Sequence, residues 1–363
     1  MEDIKGDKIP GERPRWEPKL DFTPRQIYDE MSRFVIGQER AVRTIAIAAY
    51  NHIKRIIHPN DLLKKSNVLM VGPTGSGKTH IARTLAGALN VPFTVTNATD
   101  YTEAGYYGKD VEVMVAELLF ATGGDVRAAE RGIIFIDEID KIARRSGGQR
   151  TGASGRDIGG EGVQQAILKL LEANRVFVPL NVTQHWNKHD FVPMEVGNIL
   201  FICAGTFSDM KRGRDRGDIG FLGESADDKS TYPVAVRDLE SYGLLAELLG
   251  RLPVIVELDP LTDDELMHIV TDPPDSLLRE YQAMFEYEQI TIEMCDDGLR
   301  AIAAKARERG TGARGLRAMF EEMFHDLAFT APERMGENVV VDADFVNANL
   351  VEAKKPRRRE AED

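Results

Sequence analysis

Cysteine is nearly missing from this chain: Cys203 and Cys295 are the only two in 363 residues, and they lie far apart. No second pair is left to build a zinc site, and both sit in apolar or strand-like surroundings that read as reduced packing positions. His185 and His189, the only close histidine pair, have no Cys or carboxylate cluster beside them and read as loop histidines. Long apolar runs are missing too. None approaches the roughly 20 residues that span a bilayer, which excludes a membrane-crossing helix. The opening MEDIKGDKIPGERPRWEP has neither the apolar core of a signal peptide nor the Arg-rich, acid-poor character of an organelle presequence, so a cytoplasmic protein is expected. Positive charge is short: 46 Lys and Arg stand against 59 Asp and Glu, a net charge of −13. Such a field repels nucleic acid and gives no support to DNA as the main substrate. No Ser/His/Asp or Cys/His constellation stands out, so peptidase chemistry within the chain is not expected.

What is present is a phosphate-binding loop. Val68 to Thr79 reads VLMVGPTGSGKT and runs into the helical HIARTLAGAL. An apolar strand, a glycine-rich turn, a lysine, a hydroxyl residue and a helix form the ATP- or GTP-binding element. Gly72, Gly75 and Gly77 let the backbone turn tightly enough to aim N–H groups at phosphate oxygens, with Pro73, Thr74 and Ser76 between them, and the helix adds the positive end of its dipole. Lys78 can then reach the β- and γ-phosphates, and Thr79, just before His80, can hold Mg²⁺. About sixty residues downstream, RGIIFIDEIDKI supplies a buried strand, Ile133 to Ile136, ending in two carboxylates. Asp137 is placed to hold the Mg²⁺ shell and Glu138 to polarise the attacking water.

The chain is long enough for two domains, because one core rarely grows past about 250–300 residues. Residues 1–22 read as a flexible arm, 23–259 as the large nucleotide-binding domain, 260–352 as a smaller mostly helical domain, and 353–363 as a charged, disordered tail. A short capped helix from Thr23, a break at Val35-Ile36-Gly37-Gln38 and a longer amphipathic helix come first. The apolar break can pack an adenine ring or serve as a plain turn between helices. Tyr106 and Tyr107 lie between Gly105 and Gly108 on an expected loop, where a functional role and local packing are equally open. Arg144 to Gly162 reads as a mobile loop running into the helix GEGVQQAILKLLEA, and VFVPLNVTQHWNKHDF reads as strand and then loop. Asn198 to Cys203 is a further core strand, and Thr206 beyond its tip can sense the γ-phosphate or hold the water. Ile219-Gly220-Phe221-Leu222 is an apolar tip inside a charged segment, able to dock on the protein itself or on a partner. YGLLAELLG reads as one helix, followed by Arg251 and a strand from Val254 to Leu258; beyond the Asp259-Pro260 break, Ala313 to Phe329 reads as one helix.

Taken in order, GPTGSGKT, TEAGYYGKD, RGIIFIDEIDKI, GRDIGGEGVQQAILKLLE, NILFICAGTF, IGF, LLGRLPV and TGARGLR resemble the ClpX family of AAA+ unfoldases over roughly Thr23 to Leu350. The resemblance implies an α/β AAA+ P-loop large domain, a parallel sheet flanked by helices, followed by a smaller helical C-terminal domain. It implies a bacterial homo-hexamer that uses ATP and Mg²⁺ to unfold protein substrates and thread them into a ClpP-type peptidase, with adaptor proteins possible; the alternative is a stand-alone remodelling chaperone. It gives Arg251 the role of an arginine inserted into the neighbouring subunit's site, and Arg314 that of a nucleotide reporter. Tyr106 and Tyr107 fall on the pore loop, with the second tyrosine where the family usually has valine. Arg156 falls on a second pore loop, and Ile219, Gly220 and Phe221 match the peptidase-docking tripeptide. Departures are expected to matter: the family's four-cysteine zinc module cannot be built here, and its basic RKH loop reads Asn187-Lys188-His189. HslU-type rings fit less well, because only Lys109 to Arg131 separates the pore loop from the Walker B strand.

Overall fold

The computed structural model describes residues 21–58, 62–101, 110–144, 160–179, 191–210 and 233–350. They fall into two compact units: the first holds Met1–Met31, Arg40–Pro73 and Lys78–Leu258, and the second holds Ser32–Glu39, Thr74–Gly77 and Asp259–Asp363.

In chain order the first unit carries α1 (Pro24–Met31), α2 (Glu39–Ile57, whose first residue groups with the second unit), β1 (Val68–Val71), α3 (Lys78–Leu89), β2 (Phe93–Asn97), α4 (Val113–Ala121), α5 (Val126–Ala129) and β3 (Ile133–Asp137). It continues with α6 (Gly160–Glu172), β4 (Arg175–Pro179), β5 (Phe191–Glu195), β6 (Leu200–Gly205), α7 (Val236–Tyr242), α8 (Ala246–Gly250) and β7 (Val254–Glu257). Five strands form an all-parallel sheet in the order β2-β3-β6-β1-β7. Both faces of such a sheet are covered, so its inner strands are continuous apolar runs: VLMV and LFICAG are buried at every position. On one face Leu69, Ile134, Ile136, Phe201 and Cys203 share a core with Met114 and Leu118 of α4 and Ile167 and Leu170 of α6. Burial pushes the Cys203 thiol up to about 12, in keeping with an inert packing residue.

The register fixes where chemistry can sit. Asn97 pairs with Asp137, Ile136 with Cys203, and Val71 with Gly205, so the carboxyl ends of β2, β3, β6 and β1 finish along one edge. In open α/β sheets that edge is where ligands bind.

Beneath the sheet, three basic side chains gather on three successive carbonyls. His52 Nε2 donates to Asn198 O at 2.9 Å, Arg55 Nη2 donates to Gly197 O, and Lys65 Nζ donates to Val196 O at 3.0 Å. The Lys65 ammonium also lies 4.7 Å from the Phe201 ring centroid. Burial first, then Arg55 and Lys65, push the His52 imidazole down to about 3, against the bond to Asn198. A base whose folded pKa is lowered is protonated first in the unfolded chain, so its contribution is intact above about 6.5 and is lost as pH falls toward 3. Urea melts of wild type and His52→Gln at pH 7 and pH 4 are therefore expected to differ in their gap by on the order of 3 kcal/mol, wild type losing more. A gap that does not move with pH would overturn this account of His52.

The second unit adds α9 (Asp263–Thr271), α10 (Leu277–Glu286), β8 (Thr291–Met294), α11 (Asp296–Glu308), α12 (Leu316–Thr330), β9 (Asn338–Val341) and α13 (Ala343–Asn349). Thr262 caps α9 through the Glu265 amide, and Glu265 returns a carboxylate to the Thr262 amide at 2.7 Å. Tyr281, Phe285, Phe320, Phe324 and Phe345 form an aromatic cluster in its core. Among the described residues no helix is long and apolar enough to cross a membrane.

The starts of two helices are corrected. The helix before Arg251 ends at Gly250 as expected but begins only at Ala246, because Tyr242 is the last residue of α7 and Gly243 at φ 122° ends that helix. Residues 312–315 form a tight 3-10 turn ahead of α12 rather than its first turn. The strand expected from Val176 is present as β4, most of the loop expected after it lies outside the described residues, and β5, which starts at Phe191 where that reading stopped, pairs antiparallel with β4.

Candidate functional site

The phosphate loop leaves β1 at its carboxyl end. Gly72 N donates to Gly205 O at 3.2 Å, which keeps the loop's first residue in register with β6. Gly75 and Gly77 take φ of +80° and +92°, a region that side chains with a Cβ enter at a cost, so the turn depends on glycine here. Pro73 belongs to the first unit and Thr74–Gly77 to the second.

Lys78 opens α3 and is 8% exposed; its Nζ donates to the carbonyls of Gly72 at 2.7 Å and Pro73 at 2.8 Å. These bonds curl the lysine back over its own loop. Burial holds its ammonium below the usual lysine range, and Asp137 and Asp140 pull the other way. An ammonium so held is matched to an incoming polyphosphate, which supplies the charge its site lacks.

Thr79 follows, with Oγ1 3.5 Å from Asp137 Oδ2. A hydroxyl and a carboxylate converging in this way are hard oxygen donors, which fits Mg²⁺. Glu138 comes next and takes φ 57° and ψ 33°, left-handed backbone that a glutamate does not adopt by preference. The turn is braced from both sides: Glu138 N donates to Asp137 Oδ1 at 2.8 Å, and Asn97 Nδ2 donates to Glu138 Oε2 at 3.0 Å. The carboxylate is thus aimed from the end of β3 by its neighbour at the end of β2.

The 3-10 turn Ile139–Ile142 then folds Asp140 inward, where it is 5% exposed. Its Oδ2 accepts from Thr206 Oγ1 at 2.9 Å, so the hydroxyl at the tip of β6 is held by a buried carboxylate. Gly205 makes this approach possible, because a Cβ there would sit 2.8 Å from Asp140 Oδ1. Lys78, Thr79, Asp137, Glu138 and Thr206 are thereby brought to one sheet edge. Asn97 and Asp140 were not among the sequence candidates. Asp140 had a signal, a third acid two residues after the Asp137-Glu138 pair, whereas Asn97 had none without the β2–β3 register.

Arg251 closes α8, and its Nε and Nη2 both donate to Glu172 Oε1 at 2.9 and 2.6 Å. In the second unit Val35 is buried, Ile36 is half-buried, and Arg314 is exposed in the 312–315 turn. His80 lies exposed in the first turn of α3. Tyr106, Tyr107, Arg156, His185, His189, Ile219, Gly220 and Phe221 lie outside the described residues.

Comparison with known proteins follows the same order of elements. The profile described as AAA domain (Cdc48 subfamily) matches residues 63–255, and the one described as C-terminal, D2-small domain, of ClpB protein matches residues 261–330. The chain is similar to the "ATP-dependent Clp protease ATP-binding subunit ClpX 2" of Wolinella succinogenes, 43% identical over 314 residues, 86% of this chain and 78% of the relative. It is 40% identical to the ClpX subunit of Porphyromonas gingivalis over 340 residues, 90% of this chain and 82% of the relative. The ClpX subunit of Treponema denticola is also 40% identical, over 333 residues, 88% of this chain and 80% of the relative. With likeness of this extent running through both units, the chain belongs to the ClpX family of AAA+ ATPases.

Proposed function

We propose that this chain is an ATP-driven protein unfoldase that works as a homo-hexamer and threads its substrates into a ClpP-type peptidase. The observation that carries the ATPase part is the convergence of Lys78, Thr79, Asp137 and Glu138 at the carboxyl edge of the sheet. Its support for the protease link is the printed name of its relatives, ATP-binding subunits of Clp proteases.

In the reaction Lys78 exchanges the carbonyls of Gly72 and Pro73 for the β- and γ-phosphates. Thr79 and Asp137 would hold Mg²⁺, which when bound neutralises charge on the phosphate oxygens. Glu138 takes the proton of the attacking water, and Asn97 keeps its carboxylate from swinging away. Asp140 orients the Thr206 hydroxyl toward the same edge. Val35 and Ile36 pack the adenine ring, and Arg314 reports the nucleotide from the second unit. Arg251 is donated to the site of the adjoining subunit, and Tyr106 grips the substrate in the pore.

The test is degradation of a folded, degron-tagged fluorescent protein by the purified chain with a ClpP-type peptidase and ATP. Fluorescence is expected to fall with release of fragments, and Phe221→Ala is expected to abolish the fragments. Loss of fluorescence without fragments, indifferent to Phe221, would replace this reading with a stand-alone remodeller.

A further inference from the structure

The backbone and the side chain of Arg251 are held in different ways. Its amide donates to Leu248 O at 2.9 Å, and its carbonyl accepts from Asn67 Nδ2 at 3.1 Å. Asn67 is 1% exposed and also accepts from Phe201 N at 3.3 Å, so the arginine's backbone is tied to the starts of β1 and β6. The long side chain that leaves this anchor is directed by Glu172, the last residue of α6. The pair is open, with side-chain exposures of 54% for Arg251 and 43% for Glu172. Glu172 also borders a recess of about 680 Å³ lined by Arg144, Lys169, Glu240 and Glu247 among others.

An ion pair this exposed adds little to folding stability. Its worth lies in direction. The carboxylate engages the Nε side of the guanidinium through Nε and Nη2 and leaves Nη1 out of the contact. A guanidinium is a rigid planar fork, so fixing one edge aims the other, and the remaining edge suits a phosphate oxygen. We propose that Glu172 is a positioning residue that aims Arg251 at the γ-phosphate of ATP bound to an adjoining copy of the chain. This rests on the reading of Arg251 as an arginine that acts across subunits.

The experiment is steady-state ATP hydrolysis by the full-length assembled chain, comparing wild type, Glu172→Ala, Glu172→Gln, Arg251→Ala and the Glu172→Ala/Arg251→Ala double variant, each checked for ring assembly and melting temperature. Glu172→Ala is expected to lower kcat about ten- to a hundredfold, the scale of a misplaced catalytic group, with little change in KM because Lys78 and its loop bind the nucleotide. Glu172→Gln keeps an acceptor for the Nε–H and is expected to fall between; it also serves if the alanine variant does not fold. The double variant is expected to be no slower than Arg251→Ala alone. A double variant slower by the product of the two single effects would overturn the proposal, because Glu172 would then act by another route. Wild-type kcat in both Glu172 variants with a crippled Arg251→Ala would overturn the proposal and leave the arginine's role standing. Wild-type kcat in Arg251→Ala would overturn the arginine reading itself.

Discussion

Glu138→Gln is expected to bind ATP as wild type does and to hydrolyse it about 10²–10⁴-fold more slowly, the usual loss on removing a general base. The substitution is nearly isosteric. The glutamine oxygen can still accept from Asn97 Nδ2, now at 3.0 Å from Glu138 Oε2, and the backbone bond from residue 138 to Asp137 Oδ1 is untouched. What disappears is a group able to take a proton from water beside the γ-phosphate. Nucleotide contacts made by Lys78 and the loop remain, so affinity for a fluorescent ATP analogue is expected to stay within a few fold of wild type while phosphate release collapses. Turnover within threefold of wild type would remove Glu138 from the reaction.

The second large effect concerns Arg251, whose removal is expected to cost about 10³–10⁵ in turnover if it serves as a trans-acting arginine. Its side chain is more than half exposed and stands on α8, where alanine leaves no buried hole. The loss is therefore expected without a matching fall in melting temperature. Complementation separates a role across subunits from a role within one. Lys78→Ala subunits cannot grip nucleotide but still carry Arg251, and Arg251→Ala subunits bind nucleotide but lack the arginine. Each is expected to be inactive alone, and a mixture is expected to regain activity at junctions where an intact phosphate loop faces an intact Arg251. A mixture as inactive as its components would show that Arg251 does not act in trans.

Much of this site could be read from the chain because its parts are local. VLMV before a glycine turn and IIFI before two carboxylates each announce a buried parallel strand and its polar tip within a dozen residues. What escaped reading depends on contacts between distant segments. Asn97 matters only because β2 lies in register with β3, and the Glu172 carboxylate meets Arg251 across 79 positions of sequence. Asp140 turns inward only because Gly205, on another strand, leaves room for it. The late start of α8 turns on the positive φ of Gly243, which ends α7 at the first residue of a stretch whose apolar pattern reads as helix throughout. The hairpin of β4 and β5 was half legible, since only its first strand precedes the polar stretch.

The left-handed backbone of Glu138 bears on how this protein could be engineered. Holding a glutamate in that conformation costs on the order of 1 kcal/mol, which glycine would not incur. Set against this, glycine would forfeit the bond from Asn97 Nδ2, and any glycine variant that survived a selection for heat resistance alone would lack the carboxylate proposed to activate water. Backbone comfort and the proposed chemistry ask for different residues at this position, so a directed-evolution screen on this scaffold must score ATP hydrolysis alongside survival of heating.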